Sequence, residues 1–78
     1  MGKITQMRQQ RKAFHEDIGR QLAAARLEKH LSVETVSAHI RRSGAYIEHI
    51  ETGQGDIWLN TLYFMASFYD KKLVVRLE

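Results

Sequence analysis

A chain of 78 residues, 44% hydrophobic and 27% charged, is too short for two cores and too apolar and mixed in charge for general disorder, so it reads as one small domain over 1–78. It holds no cysteine, which excludes disulfide staples, thiolate nucleophiles and Cys-bearing zinc sites. No apolar run approaches the roughly 20 residues that span a bilayer. The opening MGKITQMRQQRK lacks the apolar stretch of a signal peptide, so the expectation is a cytoplasmic protein with no membrane attachment. A domain this size buries only roughly 60 to 65% of its unfolded surface, which makes a homodimer the default expectation.

The net charge of +3 is unevenly spread. Residues 1–15 carry Lys3, Arg8, Arg11 and Lys12 with no acid, whereas residues 43–60 carry only the acids Glu48, Glu51 and Asp56. With an isoelectric point near 9.5, the basic N-terminal half points either to a polyanionic partner or to a solvated cationic face.

With no proline in the chain, helices should dominate. Ile4, Met7, Phe14, Ile18, Leu22 and Ala25 recur at helical spacing and predict a helix over about 14–29, preceded by a basic extension over 1–13 that is either helical or disordered. Ser32 is a good N-cap, and Glu34 sits well in the first turn of a second helix over 33–40 that buries Val36 and Ile40. Ser43 caps a third helix over 43–52, with Gly53 suited to the left-handed residue that closes it. A connection of about three residues between two short helices suits a steep crossing rather than antiparallel packing. After the turn Gln54-Gly55-Asp56, Asp56 is a candidate N-cap for a helix over 57–69 that buries Leu59, Leu62, Met65, Ala66 and Tyr69. The further aromatics Trp58, Tyr63, Phe64 and Phe68 exceed what one helix face can bury, so part of them should meet a partner chain or the N-terminal extension. The period then changes to two over Leu73, Val74, Val75, Arg76 and Leu77, which predicts a C-terminal β-strand over 73–77. With no second strand in the chain, residues 73–78 would dimerise by pairing with the same strand of another subunit; the competing reading is a frayed tail.

The segment VETVSAHIRRSGAYIEHIETG places Val36, Ile40, Ile47 and Ile50 at the buried positions of a two-helix motif and the small Ser37 where the helices cross. It ends on Ile50-Glu51-Thr52-Gly53, and Leu59, Leu62, Met65 and Ala66 follow an L-x-x-L-x-x-[IM]-A pattern. In these features Ile18 to Leu73 resembles the Cro/cI-type, phage-repressor-like helix-turn-helix DNA-binding family. The resemblance implies an all-α, five-helix repressor-like domain, to which the C-terminal strand is added. The chain departs from the family where Val33 replaces a phosphate-binding glutamine, where Arg41 replaces the turn glycine and Arg42 the apolar residue after it, and in the loop Gln54-Gly55-Asp56-Ile57.

By that resemblance the third helix is the recognition helix of a double-stranded DNA reader. Its base-reading positions are Gly44, Ala45 and His49 with Ser43 and Tyr46 beside them, of which His49 and Tyr46 are the main hydrogen-bonding readers. Residues 43–69 contain no lysine or arginine, so phosphate contact falls to Arg20, Arg41, Arg42 and the arm cations Lys3, Arg8, Arg11 and Lys12. Arg26 and Glu51 match a structural ion pair of the family. The four histidines show no metal-ligand spacing, no serine has an evident base, and no glycine-rich phosphate loop occurs, so neither catalysis, metal nor cofactor is expected. The expectation is a homodimeric, sequence-specific repressor of a short palindromic operator. Two alternatives are an antitoxin that binds a toxin and represses its own operon, and a protein-interaction module that has lost DNA binding.

Overall fold

The structure, a computed structural model, describes residues 2–78. Four helices follow one another: α1 (Gly2–Glu28), α2 (Val33–Ile40), α3 (Gly44–Glu51) and α4 (Leu59–Phe68). The two middle helices are set by their caps. The Ser32 hydroxyl accepts from the Thr35 amide at 3.1 Å, and the Ser43 hydroxyl accepts from the Tyr46 amide at 3.1 Å, each satisfying an orphan donor of a first turn.

Helix ends are closed by left-handed residues. At the end of α1 the Leu31 amide donates to the Arg26 carbonyl and the His30 amide to that of Leu27, with His30 at φ 56°. The same paired closure recurs after α3, where Gln54 and Gly53 donate to His49 and Ile50 and Gly53 has φ 78°. It recurs again after α4 with Asp70 at φ 57°. This is the Schellman arrangement, which satisfies carbonyls that the helix itself leaves open.

The core is one cluster in which Val36, Ile47, Met65 and Tyr69 are fully enclosed, with Leu22, Ala25, Ile50 and Leu62 around them. Thus α1 packs on α3 and α4, and α2 packs on α3 and α4. The crossing of α1 and α3 depends on Gly19. A Cβ there would collide with the Ile50 carbonyl oxygen and come within 2.7 Å of the Glu51 carbonyl oxygen, so only a residue without a side chain permits the approach.

Four expectations are corrected. The first helix and the basic extension are one element of 27 residues, so the domain has four helices rather than five. Nothing between Lys3 and Ile18 breaks a helix, and Arg, Lys, Gln and Met favour one. Through Phe14 its described residues are exposed, and its length of about 40 Å nearly fills the 43 Å long axis of the molecule. Second, the fourth helix starts at Leu59, not at 57. Asp56 does not cap it: Trp58 holds the N-cap position with no side-chain bond, while Ile57 packs against the core. Third, Leu59 is 67% exposed, because the buried stripe of α4 runs through Leu62, Met65, Ala66 and Tyr69 instead.

The fourth correction concerns the C-terminus. Among the described residues there is no strand, and residues 71–78 have no regular structure. A β-strand requires a ladder partner for its amides and carbonyls, and this chain offers none. Leu73 packs against the core, Val74, Val75 and Leu77 are exposed, and Arg76 pairs with Glu78.

Candidate nucleic-acid interface

The connection between α2 and α3 is Arg41-Arg42-Ser43. Arg41 caps α2 in the left-handed conformation at φ 58° and ψ 43°, a region that a residue with a Cβ enters at a cost of about 1 kcal/mol. Here the arginine meets the geometry that a glycine would take without strain. The turn is further held by the Ser37 hydroxyl, which donates to the Arg42 carbonyl, so the small residue at the crossing also ties α2 to the start of α3. Gly44 lies against Val33, whose Cγ1 is 3.4 Å from where a glycine-borne Cβ would stand.

Ile47 and Ile50 turn inward, which leaves Ala45, Glu48, His49 and Thr52 on the outer face of α3, all exposed. Of the positions singled out for base contact, Ser43, Ala45 and His49 are therefore at the surface, while Gly44 is half-buried. Tyr46 behaves differently. Its ring packs against the core, its hydroxyl is enclosed without a hydrogen-bond partner, and the Arg42 guanidinium lies 5.8 Å from the ring centroid. The phenol thus acts as a platform for Arg42, and its polar atom is not presented to solvent.

The cations sort into two groups. Arg20 reaches Asp17 at 3.5 Å, Lys29 reaches Asp70 at 2.8 Å and Lys71 reaches Glu28 at 3.0 Å. Lys3, Arg8, Arg11, Lys12, Arg41 and Arg42 make no ion pair among the described residues, nor does Lys72, which no sequence signal singled out. Of the seven residues assigned to phosphate contact, Arg20 alone is engaged by an acid.

The two free groups flank α3. Arg41 and Arg42 precede its N-terminus. At its other end α1 crosses, with Gly19 beneath the Ile50 and Glu51 carbonyls and Gly53 seated on Glu16, and the overhanging arm continues from there. His15 joins this corner, with Nε2 3.9 Å from the Asp56 carboxylate.

Arg26 and Glu51 fix the crossing. The guanidinium donates from Nε to Glu51 Oε2 at 2.7 Å and from Nη2 to Oε1 at 3.0 Å, and its Nη1 donates to the Leu31 carbonyl at 2.8 Å. One side chain thereby ties α1 to the end of α3 and to the connection before α2. The bond to Glu51 raises the Arg26 pKa against the opposing effect of burial. Nearby, burial and then the Glu51 charge push the Tyr69 phenol up to about 12; its hydroxyl, too, is enclosed without a partner.

Among the described residues no group of three or more His, Asp or Glu is placed to hold a metal, and no helix is long and apolar enough to cross a membrane. No family model, no curated protein and no solved structure matches the chain.

Proposed function

We propose that this chain is a sequence-specific double-stranded DNA-binding regulator that acts in the cytoplasm by occupying an operator. It would do so in the manner implied by its resemblance to the Cro/cI-type helix-turn-helix family. The observation that carries the reading is the placement of Arg41 and Arg42, free of acid partners, at the N-terminal end of a capped helix whose outer face is exposed. An α-helix with its side chains is about 10 to 12 Å across, which the roughly 12 Å wide DNA major groove admits, and α3 presents eight residues for it.

In this reading Arg41 and Arg42 take phosphates on one side of the groove, and Lys3, Arg8, Arg11 and Lys12 supply charge along the backbone. His49 reads a base edge from the outer face of α3, and Ala45 suits a thymine methyl. Tyr46 contributes by holding Arg42 rather than by its own hydroxyl.

The test is fluorescence-anisotropy titration of the purified protein against random-sequence duplex pools across a salt series, with the bound fraction sequenced. An enriched motif and a steep fall of affinity with salt are expected, and Arg41→Glu/Arg42→Glu reduces the salt slope by about two. A second reading, a protein-binding module such as a toxin-neutralising partner, is favoured by Glu48 on the outer face of α3, where a carboxylate repels phosphate. Sequence-indifferent binding, or none at low salt, would replace the first reading with the second.

A further inference from the structure

We propose that the cavity between the end of α2 and the outer side of α4 binds a small planar aromatic anion of the nucleoside monophosphate type. Its volume is about 650 Å³, within the roughly 300 to 1,000 Å³ of small-molecule sites. Arg41 and Arg42 line it where α2 ends, and Asn60, Thr61 and Phe64 line it from α4. One wall is already assembled. His39 and Phe68, which also line the cavity, stack with ring centroids 4.4 Å apart and planes 26° from parallel. The His39 ring is held from behind by its Nδ1–H, which donates to the Thr35 carbonyl at 3.2 Å.

Three observations identify the ligand. Neither arginine pairs with an acid among the described residues, and no acidic side chain lines the cavity. Two uncompensated guanidiniums select an anion, and a phosphate or carboxylate accepts paired hydrogen bonds from such a fork. The groove that α1 forms with residues 71–74 differs: it mixes Asp17 and Glu28 with Lys71 and Lys72, and Glu28 already holds Lys71, so charge selects nothing there. The second observation is Phe64, which is 60% exposed and on which no ring of the described residues stacks face to face. It offers a platform of the kind on which a nucleobase stacks. The third is polar. Asn60 lies one turn before Phe64 on the same side of α4, and its amide presents both donors and an acceptor, as a base edge requires. Thr61 is only 6% exposed, yet it lines the cavity and its hydroxyl makes no hydrogen bond among the described residues. A ligand atom would satisfy it. A bare phosphate leaves the aromatic and amide groups unused, and a neutral ring leaves the arginines uncompensated.

Binding of this ligand does not depend on the DNA-binding reading, but one consequence rests on it. Arg41 and Arg42 serve both the cavity and the DNA backbone, so the ligand and a DNA phosphate exclude each other there, and each weakens the other by the same factor.

The test is a heteronuclear NMR titration of the full chain, in phosphate-free buffer, with adenosine monophosphate and separately with its two halves, adenosine and inorganic phosphate. Saturable shifts at Arg41, Arg42, Asn60 and Phe64 are expected with the nucleotide, and each half alone should bind at least about tenfold more weakly. Phe64→Ser and the double variant Arg41→Gln/Arg42→Gln should each weaken nucleotide binding by about tenfold or more. Lys72→Gln, at an unpaired cation outside this cavity, should leave it unchanged. Circular dichroism establishes that the variants remain helical; should Phe64→Ser lose helix, Asn60→Leu, at an exposed position, provides the same reading. In the anisotropy assay the nucleotide should compete with DNA for the wild type and fail to compete for Phe64→Ser, whose own DNA affinity stays unaltered. Shifts that do not saturate, a half that binds as well as the whole, or indifference to Phe64→Ser would each overturn the proposal. So would duplex DNA moving the Phe64 and Asn60 signals, since the cavity would then belong to the nucleic-acid interface. A chain that binds the nucleotide in this way but no DNA would refute the DNA-binding reading and leave this site standing.

Discussion

Replacing Arg26 by alanine should remove more stability than any other single surface-charge substitution in this domain. The side chain makes three hydrogen bonds, two to Glu51 and one to the Leu31 carbonyl, with the two partners only 13% and 10% exposed. Breaking a fully buried pair from one side costs about 3 to 5 kcal/mol, largely because the surviving charge stays desolvated. Here water can reach Glu51 through its remaining exposure, which lowers the expected loss to about 2 to 4 kcal/mol. A domain of 78 residues has a total stability of about 4 to 12 kcal/mol, so the variant should melt lower by about 10 to 25 °C. Urea titration followed by helical circular dichroism measures the loss, and a cycle with Glu51→Ala and the double variant isolates the coupling. A loss below about 0.5 kcal/mol, the range of exposed pairs, would refute the view that this pair locks α1 onto α3. The Lys29–Asp70 contact provides the comparison: Lys29→Ala should produce no measurable change, because the acid there is 77% exposed.

Gly19→Ala should destabilise by about 2 kcal/mol or more in the same urea assay, although alanine is the better helix former by about 1 kcal/mol; a gain would mean that α1 can move away from the Glu51 carbonyl. Tyr69→Phe should leave stability at neutral pH unchanged or increased, since the enclosed hydroxyl has no partner, and a loss above about 1 kcal/mol would reveal a hydrogen bond to water. The same variant tests a pH dependence. Folded, the phenol titrates at about 12 against an ordinary 10.0, so its contribution is complete below pH 10 and is lost as pH rises toward 12; Tyr69→Phe should flatten that part of the stability profile, and an equal slope in both proteins would contradict the burial. Arg41→Gly should raise stability by about 1 kcal/mol by relieving a left-handed residue while lowering DNA affinity at low salt, and unchanged affinity would remove Arg41 from the interface.

The local signals were the most legible. Ser32, Ser43 and Gly53 act within one turn of themselves, so their roles could be read from neighbours alone, as could the inward positions Val36, Ile47 and Ile50. The long α1 was less so. Ile4 and Met7 fall on the face that later packs, and that periodicity was sound, but periodicity does not say whether anything lies opposite. In the structure nothing does through Phe14, and the helix continues because no residue stops it. The C-terminal alternation failed for a related reason. A period of two describes where side chains can point, whereas a strand exists only when its amides find a partner, and no other segment of this chain supplies one.

The site divides along the same line. The ion pair of Arg26 with Glu51, predicted from a resemblance at two positions 25 residues apart, is present with full bidentate geometry. Tyr46 shows what spacing cannot reveal: a residue expected on the outer face of α3 can still turn inward, and here the ring reaches the core and buries its own hydroxyl. That redistributes the chemistry of the face. With Tyr46 withdrawn and Arg42 resting on its ring, the polar atoms offered by α3 are those of Ser43, Glu48, His49 and Thr52, and positive charge comes only from beyond its ends. Arg41 carries most of the consequence. Glycine would take its conformation with less strain, and the chain instead places a cation there, unpaired, beside the helix that would enter the groove. His30 and Asp70 take the same left-handed conformation at the ends of α1 and α4, so what distinguishes Arg41 is not its backbone but an unpaired charge at the start of α3.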